Sequence, residues 1–283
     1  MNLSYKIIAC IVGWTFLILN LHAMKTHPRY RLRYCDIHDY NQTILDKPDH
    51  AFVDLRSVLE HAVFDIRYAT TNNFSGTVIY PFAGAYCRKP VAEGLKLAED
   101  SLKRMGIGLV IYDAYRPYQA TIQFWQVCTK KKFVASPFKG SRHNRGCAID
   151  MGLVDLATGS YLEMPTEFDS FTAAAGSYYR RCTPEAARNR SILHGVMAWA
   201  GFAPHPDEWW HLDYDRWKEF DVMDVSFEQL DSLFQPAPSE PEMPQAEEVI
   251  LAQSSEQKKP PITHADNPWV YLVLMFTWFL SVV

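Results

Sequence analysis

Two stretches of this 283-residue chain cannot help to build a globular core, and they limit where a fold can sit. Gln235 to Asn267 is dense in Pro, Glu, Gln and Ser, including Gln-Pro-Ala-Pro-Ser-Glu-Pro-Glu-Met-Pro and Ser-Ser-Glu-Gln-Lys-Lys-Pro-Pro. Such a stretch buries too little apolar surface to offset its ordering entropy, so residues 235–268 read as a flexible tether. Residues 269–283, from Trp269 to Val283, carry no charge. As a helix they reach only ~22 Å, short of a ~30 Å hydrocarbon core, which points to membrane contact at an interface, to partial insertion or to docking on a partner. At the start, Lys6 precedes the apolar run Ile7 to Leu19, so residues 1–24 read as a signal peptide or N-terminal anchor. With 25–44 as a linker, a single domain over residues 45–234 remains. The expected address is exported, periplasmic or membrane-associated.

Composition narrows the class. The chain is 48% hydrophobic and 21% charged, as a globular core requires, and its net charge of −4 gives no electrostatic reason to expect nucleic acid. The six cysteines (10, 35, 87, 128, 147 and 182) form no C-x-x-C pair, which argues against a cysteine zinc site or a thioredoxin-type centre. Loss of Cys10 with a cleaved signal would leave five in an oxidising compartment, so one stays unpaired or pairs between chains.

Within the domain, Ala51-Phe-Val-Asp-Leu and Val63-Phe-Asp-Ile-Arg-Tyr alternate as strands. Pro90 opens a helix with Val91, Leu95, Ala98 and Leu102 inward, and Gly106 closes it. Ile107-Gly-Leu-Val-Ile-Tyr is a buried strand broken by Asp113-Ala-Tyr-Arg-Pro. A helix follows Pro117 with Ala120, Phe124 and Val127 inward, and Thr183-Pro-Glu caps another through Leu193, Val196 and Met197 to Gly201. The alternation is irregular, with no Gly-x-Gly-x-x-Gly and no Walker loop, so the class is α+β rather than doubly wound.

Two dense polar clusters stand out: Ser141-Arg-His-Asn-Arg-Gly-Cys-Ala-Ile-Asp150 and Pro206-Asp-Glu-Trp-Trp-His211. On a strand Trp209 and His211 share a face, with Glu208 at the base of the segment. Two His and one carboxylate suit catalytic zinc, leaving a fourth position for water, and a nearby Glu can take that water's proton. A lone His is usually a core or surface residue and an Arg before Pro usually a turn residue, so spacing alone leaves the functional and the structural readings both open.

The order of motifs adds to this reading. Asp65-Ile-Arg-Tyr-Ala-Thr-Thr-Asn-Asn-Phe-Ser-Gly76, Tyr112-Asp-Ala-Tyr-Arg-Pro117, the Ser141–Asp150 cluster, Met164-Pro-Thr-Glu-Phe-Asp169, Asn189-Arg-Ser-Ile-Leu193 and Glu208-Trp-Trp-His211 follow one another between about residues 51 and 220. In this the chain resembles the D-alanyl-D-alanine dipeptidases, zinc peptidases that include the vancomycin-resistance dipeptidase. The resemblance implies a zinc-peptidase domain with a mainly antiparallel sheet packed by helices. It implies one Zn2+ per chain held by His143, Asp150 and His211, with Glu208 as base and then acid and Arg116 on the oxyanion. It also implies Tyr68, Ser141 and Asp169 around the substrate, with Asp169 facing the free amino group. Trp209, Trp210 and Phe168 are bulky enough to wall a shallow, closed pocket for D-Ala-D-Ala. Ala114 stands where the family usually has Gly, and Cys147 where it has a small Ser or Ala; the expected role of Cys147 is that of a small buried hydrophobe. The competing readings are a D,D-carboxypeptidase or L,D-endopeptidase on peptidoglycan stem peptides, and a non-catalytic zinc-stabilised binding module.

Overall fold

The computed structural model describes residues 24–235. The expected signal or anchor, the tether and the C-terminal apolar segment lie outside them. No helix among the described residues is long and apolar enough to cross a membrane.

The chain runs through β1 (Lys25–Thr26), β2 (Arg33–Tyr34), α1 (Ile37–Asp46), β3 (Phe52–Asp54), β4 (Val63–Phe64), β5 (Tyr86–Arg88), α2 (Lys89–Lys103) and β6 (Ile107–Asp113). Then follow α3 (Tyr118–Val127), β7 (Ala148–Asp155), α4 (Pro184–Trp199), β8 (Phe202–His205), β9 (Glu208–Tyr214) and α5 (Phe227–Phe234). The main sheet has the order β4-β6-β7-β9-β8. Only the β4–β6 pair is parallel; the other three pairings are antiparallel. This is the expected α+β fold. The sheet alternates in chain order with helices but has no run of parallel crossovers.

Burial explains which segments form the centre. β6 and β7 are apolar on both faces, and Leu109, Val110, Ile111, Ile149 and Met151 have no exposed surface. Such two-sided burial marks strands covered above and below. α2 turns Val91, Leu95, Ala98 and Leu102 inward, as its 3.6-residue spacing requires, and lies on β6 and α4. α4 begins on the Thr183 cap, whose hydroxyl accepts from the Ala186 amide at 3.0 Å, and buries Leu193 and Met197.

The two early strands form in different sheets: β3 pairs with β5 alone, whereas β4 joins the main sheet. Two expectations need correction. Val127 is half exposed rather than inward. α3 instead buries Tyr118 and Ile122 with Tyr30 and Val222, while Phe124 packs against Tyr68. A second apolar covering therefore sets the orientation of α3, and the stretch that supplies its Tyr30 is the second correction. The stretch 25–44, expected as a linker, forms the β1–β2 hairpin and α1. α1 is held by a capping box in which Asp36 accepts from the Asp39 amide and Asp39 accepts from that of Asp36. The five described cysteines are all free thiols, and Cys147 is wholly buried, which pushes its thiol up to about 12.

Candidate active site

Register brings the first charged groups together. Asp113 on β6 pairs with Asp150 on β7, and Asp150 pairs with His211 on β9, so the three lie in one row across the sheet. A bulge at Tyr112 sets this alignment, because Ile111 faces Met151 while Asp113 faces Asp150. His143 arrives from the single 3-10 turn His143–Arg145 just before β7. Gly146 ends that turn at φ 69°, and a β-carbon there would meet the Phe52 ring at 2.6 Å, so glycine is required twice over.

His143 completes, with two members of this row, a nearly equilateral triangle of atoms. His143 Nε2 lies 3.2 Å from Asp150 Oδ1, His211 Nδ1 lies 3.0 Å from the same oxygen, and the two nitrogens are 3.1 Å apart. Tetrahedral zinc with ligands at 2.0–2.1 Å would set them about 3.3 Å apart. The far side of each ring fixes where its proton sits. His143 Nδ1 is 2.6 Å from the Ala114 carbonyl, which can only accept, and His211 Nε2 is 2.9 Å from Asp213 Oδ1. Each ring thus turns its inner nitrogen toward Asp150 Oδ1, which is buried and has no hydrogen-bond partner. Three donor atoms at this spacing can be bridged by one cation. The same setting acts on protons: burial opposes charge on His211, but Asp213 and Asp150 more than offset it and raise the ring well above the usual imidazole range. The donor set, its spacing and its outer partners fit a zinc ion.

Around the triangle stand the other expected residues. Glu208 Oε2 is 3.8 Å from His211 Nδ1. Burial pushes its carboxyl up to about 7, with His211 opposing and Asp150 reinforcing the shift. Arg116 is buried, donates to Asp113 Oδ2 from Nε at 3.0 Å and Nη2 at 2.6 Å, and lies 3.8 Å from Asp150 Oδ2. Its guanidinium also stacks over Phe124 and Tyr68, so both charge pairing and aromatic faces hold it in place. The Tyr68 hydroxyl donates to Asp169 Oδ1 at 3.1 Å, while Asp169 Oδ2 is buried with no partner. Burial and the nearby Asp150 push the Asp169 carboxyl up to about 8, against the pull of the Tyr68 hydroxyl. Asp169 also holds φ at 60°, a left-handed conformation uncommon outside glycine. The Ser141 hydroxyl accepts from the His143 amide at 3.2 Å. All eight expected residues, Tyr68, Arg116, Ser141, His143, Asp150, Asp169, Glu208 and His211, line one cavity of about 400 Å3.

The walls differ from expectation. Trp210 lines the cavity, but Trp209 and Phe168 do not; Phe74, Phe124, Phe133 and Phe171 take their place. Strict alternation on β9 fails because its register with β8 slips: Pro204 faces Leu212 while His205 faces Glu208. The slip lets Glu208 and His211 reach the same cavity and sends the Trp209 indole to donate to Thr166 at 3.0 Å.

A family model described as D-ala-D-ala dipeptidase matches residues 49–226. The chain belongs to the D-ala-D-ala dipeptidase family. It is 33% identical over 175 residues to the D-alanyl-D-alanine dipeptidase of Escherichia coli K12, covering 62% of this chain and 90% of that relative. A second relative of the same description, from Enterococcus faecalis V583, is 29% identical over 183 residues, with 58% of this chain and 91% of the relative covered. Among solved structures, the LdcB LD-carboxypeptidase aligns at 23% identity and TM-score 0.32, over 52% of this chain and 69% of that one. Membership in a dipeptidase family makes the chain a peptidase and fits the small, charged cavity.

Sequence reasoning missed the groups behind the site. Asp113 was visible in Tyr-Asp-Ala-Tyr-Arg-Pro but received no role; it accepts from Arg116, from the Tyr80 hydroxyl at 2.9 Å and from the Ala114 amide at 2.9 Å. Asp213 lies two residues beyond His211 on one strand, and that period-2 spacing was a usable signal. It also accepts from Arg142 at 2.7 Å. Asn144 donates to the Arg116 carbonyl and to Thr121 Oγ1, both at 2.8 Å, which ties the His143 turn to the Arg116 turn.

Proposed function

We propose that this dipeptidase holds one zinc ion at His143, Asp150 and His211 and hydrolyses D-alanyl-D-alanine to D-alanine. The observation that carries the reading is the triangle of inward-facing donor atoms with Glu208 beside it. A bound zinc supplies Lewis acidity, polarising the scissile carbonyl and easing proton loss from the attacking water. Glu208, poised near neutrality, takes that proton and passes it to the departing amine. Arg116, clamped by Asp113, holds a fixed charge where the oxyanion develops, so no reorganisation is needed as the barrier is crossed. Asp169 offers its unpartnered oxygen to the substrate ammonium, with Tyr68 fixing the carboxylate, and Ser141 borders the same cavity. A binding module would need neither a poised base nor a clamped arginine.

The cellular setting is cell-wall peptide turnover, with the protein exported by residues 1–24 and held at a membrane by residues 269–283. Several Trp, Phe, Leu and Val side chains leaving water at ~1.5–3 kcal/mol each support that attachment.

The test is to incubate the purified protein with D-Ala-D-Ala and with muropeptides, with and without chelator. Release of D-alanine from the dipeptide, lost on chelation and restored by zinc, is the expected result. Cleavage of muropeptides with the dipeptide untouched would move the assignment to the carboxypeptidase or endopeptidase reading.

A further inference from the structure

The β1–β2 hairpin lies upstream of the matched stretch 49–226, yet it packs on the loop that carries Ser141 and His143. A tight turn shapes the hairpin. The His27 amide donates to the Leu32 carbonyl at 2.9 Å, the Arg31 amide donates to the His27 carbonyl at 2.8 Å, and Arg31 takes φ 59°.

Two routes lead from it to the site. The first is apolar. Leu32 fills the space beside Gly140, where an added β-carbon would meet Leu32 Cδ2 at 3.1 Å and Val222 Cγ2 at 3.3 Å. Nearby the Tyr30 ring stands edge-on to Phe138 at 5.2 Å, and the Tyr118 hydroxyl donates to the Pro137 carbonyl at 2.6 Å. Residues 137–140 are thereby pressed from outside, immediately before Ser141. The second route is polar. The Cys35 amide donates to the Val222 carbonyl and the Asp224 amide donates to the Cys35 carbonyl, both at 2.8 Å. Met223, between them, donates its amide to the Asn144 carbonyl at 2.8 Å. Asn144 in turn donates to the Arg116 carbonyl and accepts from the Ser141 amide at 2.7 Å.

We propose that residues 25–36 form a clamp that positions Ser141, His143 and Arg116 for the substrate, with Leu32 its principal positioning residue. Leu32 touches no reacting group and acts through Gly140. The proposal rests on the dipeptidase reading of the site, and a displacement of under 1 Å at such a site is enough to cost an order of magnitude or more in rate.

The experiment uses the full chain. Leu32→Ala is expected to lower kcat/KM for D-Ala-D-Ala about tenfold, carried mostly by KM, with one zinc retained. Leu32→Met should restore it, because volume and apolarity return. Arg188→Ala, outside the hairpin, breaks an exposed ion pair to Glu185 on α4 and should leave both constants unchanged. Hydrogen exchange at the amides of Lys139 and Gly140, which donate to the Ser136 carbonyl, should speed up in Leu32→Ala alone. Unchanged exchange across residues 136–145, or kcat/KM within about twofold of wild type, would overturn the clamp. Wild-type protein that releases no D-alanine would overturn the dipeptidase reading instead, while the exchange measurement still judges the clamp.

Discussion

The metal side of the cavity and its substrate side are made differently. His143, Asp150 and His211 stand on buried strands or on the turn feeding one, and each histidine has its outer nitrogen assigned to an acceptor. Asp169 stands on a loop, in a left-handed conformation, with one buried oxygen unpartnered. One half has its outer nitrogens satisfied and turns three donor atoms inward. The other stores an unmet hydrogen bond that a ligand with spare donors can complete. The difference teaches that removing groups from the two halves should change stability in opposite directions.

The largest effect is expected on the metal side. His143→Ala and His211→Ala should lose zinc and turnover to background, and stability with them, because ligand binding is coupled to folding. Metal content by mass spectrometry and thermal midpoint with and without zinc check this. Full metal retention in both variants would remove the assignment.

Next in size, Glu208→Gln should retain zinc and fold yet lose about 10²–10⁴-fold in kcat, since proton transfer contributes on that scale. Steady-state kinetics on the zinc-loaded variant is the measurement. Near-normal turnover would require another base in the cavity.

These residues were legible in the sequence because they fall in compact, ordered motifs, and the structure gathers them into one cavity. The strand alternation assumed for Trp209 and His211 was not reliable, because a slipped register on one neighbouring strand overrides period-2 geometry. The hairpin was not legible at all. Its strands are two residues long, too short for any periodicity, and its apolar side chains find their partners only in distant segments, α3, residues 138–140 and Val222. Asp113 and Asp213 escaped for another reason: their role depends on which atom of a neighbour they touch, and spacing does not encode that.

A smaller effect should separate Asp213 from the ligands it supports. Asp213→Asn keeps the shape but weakens the acceptor that holds the His211 Nε2 proton, so zinc affinity should fall about 10–100-fold. A competitive chelator titration reads this directly. Equal affinity would mean that Arg142, released from its 2.7 Å pair with Asp213, had no hold on the site either.

The smallest effect tests the substrate side and carries the opposite sign. Asp169→Asn removes a buried carboxyl whose second oxygen has no partner, so the variant gives up only the Tyr68 contact and the attraction of Arg116, against relief from burial and from Asp150. KM for D-Ala-D-Ala should rise, because the group that can ionise opposite the bound ammonium is gone. Stability of the chelator-treated protein should hold or increase, whereas the metal-side variants lose it. The pH dependence gives the sign independently. Burial raises the Asp169 carboxyl from 3.8 to about 8, so the folded chain holds a proton there that the unfolded chain has released. With more protons bound in the fold, stability falls as pH rises between about 4 and 8. In Asp169→Asn that contribution is gone, and the difference between variant and wild type should grow in the variant's favour across the same window. Denaturant midpoints at pH 5 and pH 8 measure it (values chosen to bracket the interval). A variant that loses stability by the same amount at both would mean that Asp169 is paired in solution, and the contrast between the two halves would fail.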